Sequence, residues 1–158
     1  MELNVPIHGI ERDRKKDWII AYGSNSGIQN FALEELNNIV QRNIPYLLEC
    51  VNVKNGFDDE MLNRNLLIIG TTENNTLIKF LLDNGKIEDI NVEPECFHIE
   101  VIDNPYNKNN QIVILSGNDS SGVLYAVKEF EHYTVDPFTK IGRNGDIERV
   151  AFNNNLFN

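Results

Sequence analysis

The sequence predicts an α/β (α+β) domain: a two-layer unit with a mixed β-sheet of about five strands and two to three helices packed mainly on one face. Three observations carry that reading. Short apolar runs alternate with segments whose apolar residues recur at helical spacing. One run, LLIIGTT at 66–72, is apolar on both faces, as a central strand requires. Two later runs flank a loop dense in turn formers, NPYNKNN, which is the pattern of a hairpin.

The elements follow in order. Residues 1–16 are polar, without a period, and read as an N-terminal arm; its run Glu11-Arg12-Asp13-Arg14-Lys15-Lys16-Asp17 alternates in sign and suits solvent. DWIIAYG at 17–23 is a buried strand ended by Gly23. Ile28, Phe31, Ala32, Leu36, Ile39 and Val40 then fall on one helical face, and Ser26 with Gln29 three residues later fits a capping box. Pro45 ends that helix. YLLECVNV at 46–53 is the second strand, and KNGFDDEMLNRN is a turn-rich link to the central strand at 66–72.

Leu77, Ile78, Leu81 and Leu82 form the stripe of a second helix, with Asn74 or Asn75 as N-cap and Gly85 as the C-terminal left-handed residue. In the hairpin, Phe97, Ile99 and Val101 alternate with His98, Glu100 and Ile102, so one face is expected to be mostly wet. Ile112–Leu115 pairs back. Asp119 or Ser120 caps the last helix, which directs Val123, Ala126, Val127 and Phe130 inward and ends by Pro137. Residues 137–158 hold no sustained period; Ile147–Phe152 is a candidate short strand. The apolar end, Leu156 and Phe157, reads as the linker or start of a further domain.

Composition bounds the function. With 158 residues the chain has the length of one domain with a single sizeable core. Fourteen basic against 24 acidic residues give a net charge of −10, which argues against a nucleic-acid partner. No apolar stretch approaches membrane-spanning length and no signal peptide is visible, so the default location is cytoplasmic. Cys50 and Cys96 are too few for a disulfide framework and read as two buried or half-buried thiols.

The chemistry-bearing residues are sparse. His8, His98 and His132 belong to no metal-ligand spacing, and neither cysteine has a Cys-x-x-Cys partner, so no metal is expected. None of Ser24, Ser26, Ser116, Ser120 or Ser121 sits in a Gly-x-Ser-x-Gly turn. Asp58-Asp59-Glu60 and Glu34-Glu35 are sequence neighbours, not an acid pair at the separation that glycoside hydrolysis needs. Two strand–Gly–helix junctions remain, IIGTTENNTLI and ILSGNDSSGVLYAV. Neither carries a nucleotide-binding glycine pattern, and no cofactor is expected. Asn75, Asp119 and Ser120 can fill the helix N-termini themselves, so the expected role of both junctions is a sharp turn and a capped helix.

These junctions also carry a resemblance. Ile68-Ile69-Gly70-Thr71, and Gly117, Asn118, Asp119, Gly122, Leu124 and Tyr125 within SGNDSSGVLYAVKEFEHY, resemble the small α/β domain that precedes the catalytic barrel in glycoside hydrolases. The likeness is notably to the β-N-acetylhexosaminidase and α-glucuronidase types, with their zincin-like accessory domain. The resemblance spans roughly 17–136. It implies a non-catalytic domain whose partner is its own downstream catalytic domain, with carbohydrate as the wider substrate class. It assigns no catalytic residue, and it makes Asn118, Asp119 and Tyr125 candidate loop or domain-interface residues. Gly122 would let helix and sheet approach. A free-standing α/β small-ligand-binding or regulatory module is the alternative reading.

Overall fold

The computed structural model describes residues 14–42, 44–88 and 93–133. The candidate strand at 147–152 and the apolar C-terminal end lie outside them. The elements are β1 (Trp18–Tyr22), α1 (Gly27–Gln41), β2 (Glu49–Asn52), β3 (Asn65–Gly70), α2 (Thr76–Asp83), β4 (Phe97–Asp103), β5 (Gln111–Gly117) and α3 (Ser120–Tyr133). Short 3-10 turns precede β1 at Arg14–Lys16 and β3 at Asp59–Asn63.

The five strands form one sheet in the order β2-β1-β3-β5-β4. β2, β1, β3 and β5 run parallel, and β4 closes one edge antiparallel to β5. The α/β class, the mixed sheet and its five strands are therefore as the sequence predicts. β3 is the central strand, and all six of its residues are buried.

Period-two alternation divides the core in two. Trp18, Ile20, Leu67, Ile69, Val113 and Leu115 point to one face, where Ala32, Leu36, Ile39 and Val40 of α1 meet Val123, Ala126, Val127 and Phe130 of α3. Ile19, Ala21, Leu66, Ile68, Ile112 and Ile114 point to the other, under Leu77, Ile78 and Leu81 of α2. Two of the three helices thus share one face, and α2 adds a third layer on the opposite one. The cause is legible in β3 and β5: with apolar side chains on both sides, each face needs its own cover.

Three local expectations change. Ile28 and Phe31 do not join the buried stripe of α1; they are 47% and 49% exposed, and Lys128 Nζ lies 5.9 Å from the Phe31 ring centroid. Neither face of β4 is wet. His98 and Glu100 are half-buried and pair at 2.8 Å, and Glu100 Oε1 also accepts from the Glu88 backbone N–H at 3.2 Å, which draws the preceding segment toward the strand. Cys50 is an exposed residue on the edge strand β2, while Cys96 is half-buried; both are free thiols. The Cys50 sulfur lies against α1, where Asn37 Nδ2 reaches it at 3.2 Å. Withdrawal from water raises its pKa, with Asn37 opposing and Glu49 reinforcing the shift.

Candidate functional site

In an open sheet of this kind, ligands bind beyond the carboxyl ends of the parallel strands, where neighbouring connections diverge. Here that point lies between β1 and β3, since β1 leads through α1 to β2 on one side and β3 leads toward β4 on the other. Three loops converge there: Gly23–Ser26, Thr71–Asn75 and Asn118–Asp119.

The crevice is occupied by the chain's own amides. Asn74 Oδ1 accepts from the Thr71 N–H at 2.9 Å, and Asn74 Nδ2 donates to Gln29 Oε1 at 2.9 Å. Gln29 Nε2 in turn donates to Ser120 Oγ at 3.1 Å. One relay therefore ties the β3–α2 loop to α1 and α1 to α3. Asn74 is seated so closely that a Cβ on Gly23 would fall 2.2 Å from its Oδ1 and 2.5 Å from its backbone oxygen.

This relay corrects the capping-box reading. Ser26 stands at the N-cap of α1 with extended backbone, but its side chain makes no cap bond. Gln29 is turned away from it because Asn74 of the β3–α2 loop and Ser120 at the start of α3 satisfy both ends of its amide. In the sequence Gln29 and Asn74 stand out only as capping residues of separate helices, and their contact with each other is not foreseen. The available signal was Gly23 and Gly70, two glycines that end adjacent parallel strands and leave room for an inserted side chain.

The other two helix N-termini are filled as predicted. Asn75, 1% exposed, accepts from Leu77 and Ile78 N–H at 3.0 and 3.2 Å and donates to the carbonyls of Ala21 and Ile69 at 3.1 and 2.9 Å. It caps α2 and stitches β1 to β3 with one side chain. Gly85 follows α2 at φ +67°, the left-handed position expected of it.

At α3, Asp119 Oδ1 accepts from the Gly122 N–H at 2.9 Å and Oδ2 from the Glu95 N–H at 3.0 Å. Those backbone donors, Gly122 first, then Glu95, hold its carboxyl below the usual range. Asn118 donates its backbone N–H to Cys96 O at 3.0 Å and its side-chain amide to Glu93 O. Beneath the turn, α3 and the sheet touch without side chains. A Cβ on Gly122 would lie 2.3 Å from Cys96 O, and one on Gly117 would lie 2.2 Å from Val123 N.

Of the three sequence-predicted residues, the structure brings Asn118 and Asp119 together as clamps on the segment entering β4. It places Tyr125 apart from them, 44% exposed on the next turn of α3. Glu34 and Asp58-Asp59-Glu60 are exposed, and Glu35 pairs with Lys128 at 2.6 Å. Among the described residues no three metal-ligating side chains converge, and no helix is long and apolar enough to cross a membrane. The architecture defines the chain as an α/β domain with structurally braced strand–helix junctions. Compared with known proteins, it matches no family model and no curated protein.

Proposed function

We propose that the chain is a non-catalytic N-terminal accessory domain of a carbohydrate-active glycoside hydrolase, which supports a catalytic barrel that follows it. The observation that carries this reading is the use to which the family-like residues are put. Gly117, Asn118, Asp119 and Gly122 all serve to seat α3 on the sheet and to clamp the Glu93–Cys96 segment, a mechanical role. Tyr125 is left at the surface on the next turn of α3, where a neighbouring domain can meet it. The helix N-termini that a free-standing ligand-binding module would use at α2 and α3 are taken by Asn75 and Asp119.

The complete reading frame tests the proposal. A segment encoding a (β/α)-barrel after codon 158 supports it. A stop codon there, with no barrel partner encoded alongside, overturns it.

A further inference from the structure

An asparagine followed by glycine is chemically exposed, because a residue without a Cβ gives its peptide nitrogen the least hindered path to the neighbouring side-chain amide. The chain holds three such pairs, Asn55-Gly56, Asn84-Gly85 and Asn144-Gly145, and the last lies outside the described residues. The other two stand in exposed turns, their glycines at φ +132° and +67° with open space where a Cβ would be. Exposure does not tell them apart. Their hydrogen bonds do.

Asn84 is the C-cap of α2, at φ −94° and ψ 9°. Its Nδ2 donates to the Phe80 carbonyl at 2.7 Å, which ties the side-chain amide back along the helix. The neighbouring nitrogen is tied as well. The Gly85 N–H donates to Leu82 O at 3.0 Å, and the Lys86 N–H donates to Leu81 O at 2.8 Å in the same cap. Bringing Gly85 N onto Asn84 Cγ would undo the end of α2.

Asn55 has neither restraint. Its side chain makes no hydrogen bond among the described residues. The Gly56 N–H reaches only Val53 O, at 3.4 Å, beyond the ordinary range of a hydrogen bond. That carbonyl is already engaged by the backbone N–H and the hydroxyl of Thr76. The two reacting groups of Asn55-Gly56 can therefore meet at the cost of one weak contact.

We propose that Asn55 is a site of spontaneous covalent modification, converted through a cyclic imide to isoaspartate and aspartate, while the cap of α2 protects Asn84. Water is the only co-reactant. The Gly56 amide nitrogen gives up its proton to solvent base and bonds to Asn55 Cγ. The Cγ–Nδ2 bond breaks, and the amide nitrogen takes up a proton and leaves as ammonia. Water then adds to one of the two imide carbonyls and breaks its bond to the Gly56 nitrogen. Opening at the side-chain carbonyl gives aspartate. Opening at the backbone carbonyl gives isoaspartate, whose main chain is one methylene longer. Both products add a negative charge to the turn. The change also has reach, because Val53 O, at the start of this turn, holds Thr76 in the first turn of α2.

Ageing the full chain at mildly alkaline pH in heavy-oxygen water tests the proposal. Peptide mass spectrometry reads the label at each asparagine, and enzymatic methylation of isoaspartyl carboxylates reads the longer-chain product. Asn55 should convert at least about fivefold faster than Asn84, the factor for one backbone hydrogen bond that must break first. Both rates should rise with pH, since the attacking nitrogen must lose its proton. The two should converge when the chain is unfolded in urea, because the protection belongs to the fold. Conversion at Asn84 as fast as at Asn55 in the folded chain would overturn the proposal. So would a ratio unchanged in urea, or no conversion at Asn55 over a period in which the unfolded chain converts.

Discussion

Gly122→Ala adds one methyl group at the point where α3 touches the sheet. Gly122 is buried in the first turn of α3 and is not one of the positive-φ glycines, so alanine suits its backbone and even favours a helix. The cost is therefore steric alone. The new Cβ would stand 2.3 Å from the carbonyl oxygen of Cys96 and 3.1 Å from Gly117 Cα, both backbone atoms that no side-chain rotation can clear. Restoring ordinary contact requires a shift of about 1 Å between α3 and the Cys96 peptide. Overpacking of this kind costs roughly 1–3 kcal/mol. The shift also strains the Asn118 N–H to Cys96 O bond, now 3.0 Å long, which adds about 1 kcal/mol.

The expected loss is thus roughly 2–4 kcal/mol, and Gly122→Val should exceed it. At roughly 2–4 °C per kcal/mol for a chain of this size, the alanine variant should melt about 5–15 °C lower. Urea denaturation followed by circular dichroism and tryptophan emission measures it. Gly85→Ala supplies the control, since Gly85 has φ +67° and open space around its Cβ; its loss should be about 1 kcal/mol and largely recovered by Gly85→Asn. A Gly122→Ala midpoint equal to the parent's would refute the close-approach argument. A loss no larger than that of Gly85→Ala would do the same.

Further outcomes can be measured. Asn75→Ala should cost roughly 2–4 kcal/mol, because it removes the α2 cap and both side-chain donations to the Ala21 and Ile69 carbonyls; Asn75→Asp keeps the cap but not the two donations and should rescue little. Asp119→Ala should destabilise the chain at neutral pH, with a pH signature. Its lowered pKa means that the stabilisation is complete above the ordinary carboxylate pKa of about 4 and is lost as pH falls through the folded value, so parent and variant melting curves should converge in acid. A gap that persists unchanged in acid would remove the charge from that argument. The chain should release no nitrophenol from a panel of aryl glycosides; turnover that co-purifies with it and vanishes on a single Asp or Glu substitution would overturn the non-catalytic reading.

Legibility followed periodicity. The strands and helices could be read because the apolar period of each segment is set by the face it must bury, and β3 was recognisable as central because it buries two. The caps at Asn75 and Asp119 were readable for a similar reason: the partner N–H groups lie two and three residues away in sequence. What escaped is what depends on distant segments. Gln29 had a local partner in Ser26 and took two remote ones, Asn74 and Ser120. Ile28 and Phe31 share helical spacing with Leu36 and Ile39, but spacing does not report where the sheet beneath a helix stops.

The two strand–glycine–helix junctions look alike in sequence and are braced differently, which bears on what the domain can transmit. The β3–α2 junction is held by side-chain amides: Asn74 and Asn75 reach across to β1, α1 and their own strand. The β5–α3 junction is held by backbone contact at Gly117 and Gly122, with one carboxylate clamping the segment that enters β4. Amide braces can exchange partners at modest cost when a neighbour presses on them, whereas backbone touching backbone leaves no alternative packing. α3 and the β4–β5 edge should therefore move as one body. A surface that must hold a partner at fixed distance and angle is best built on such a unit, and Tyr125 projects from it.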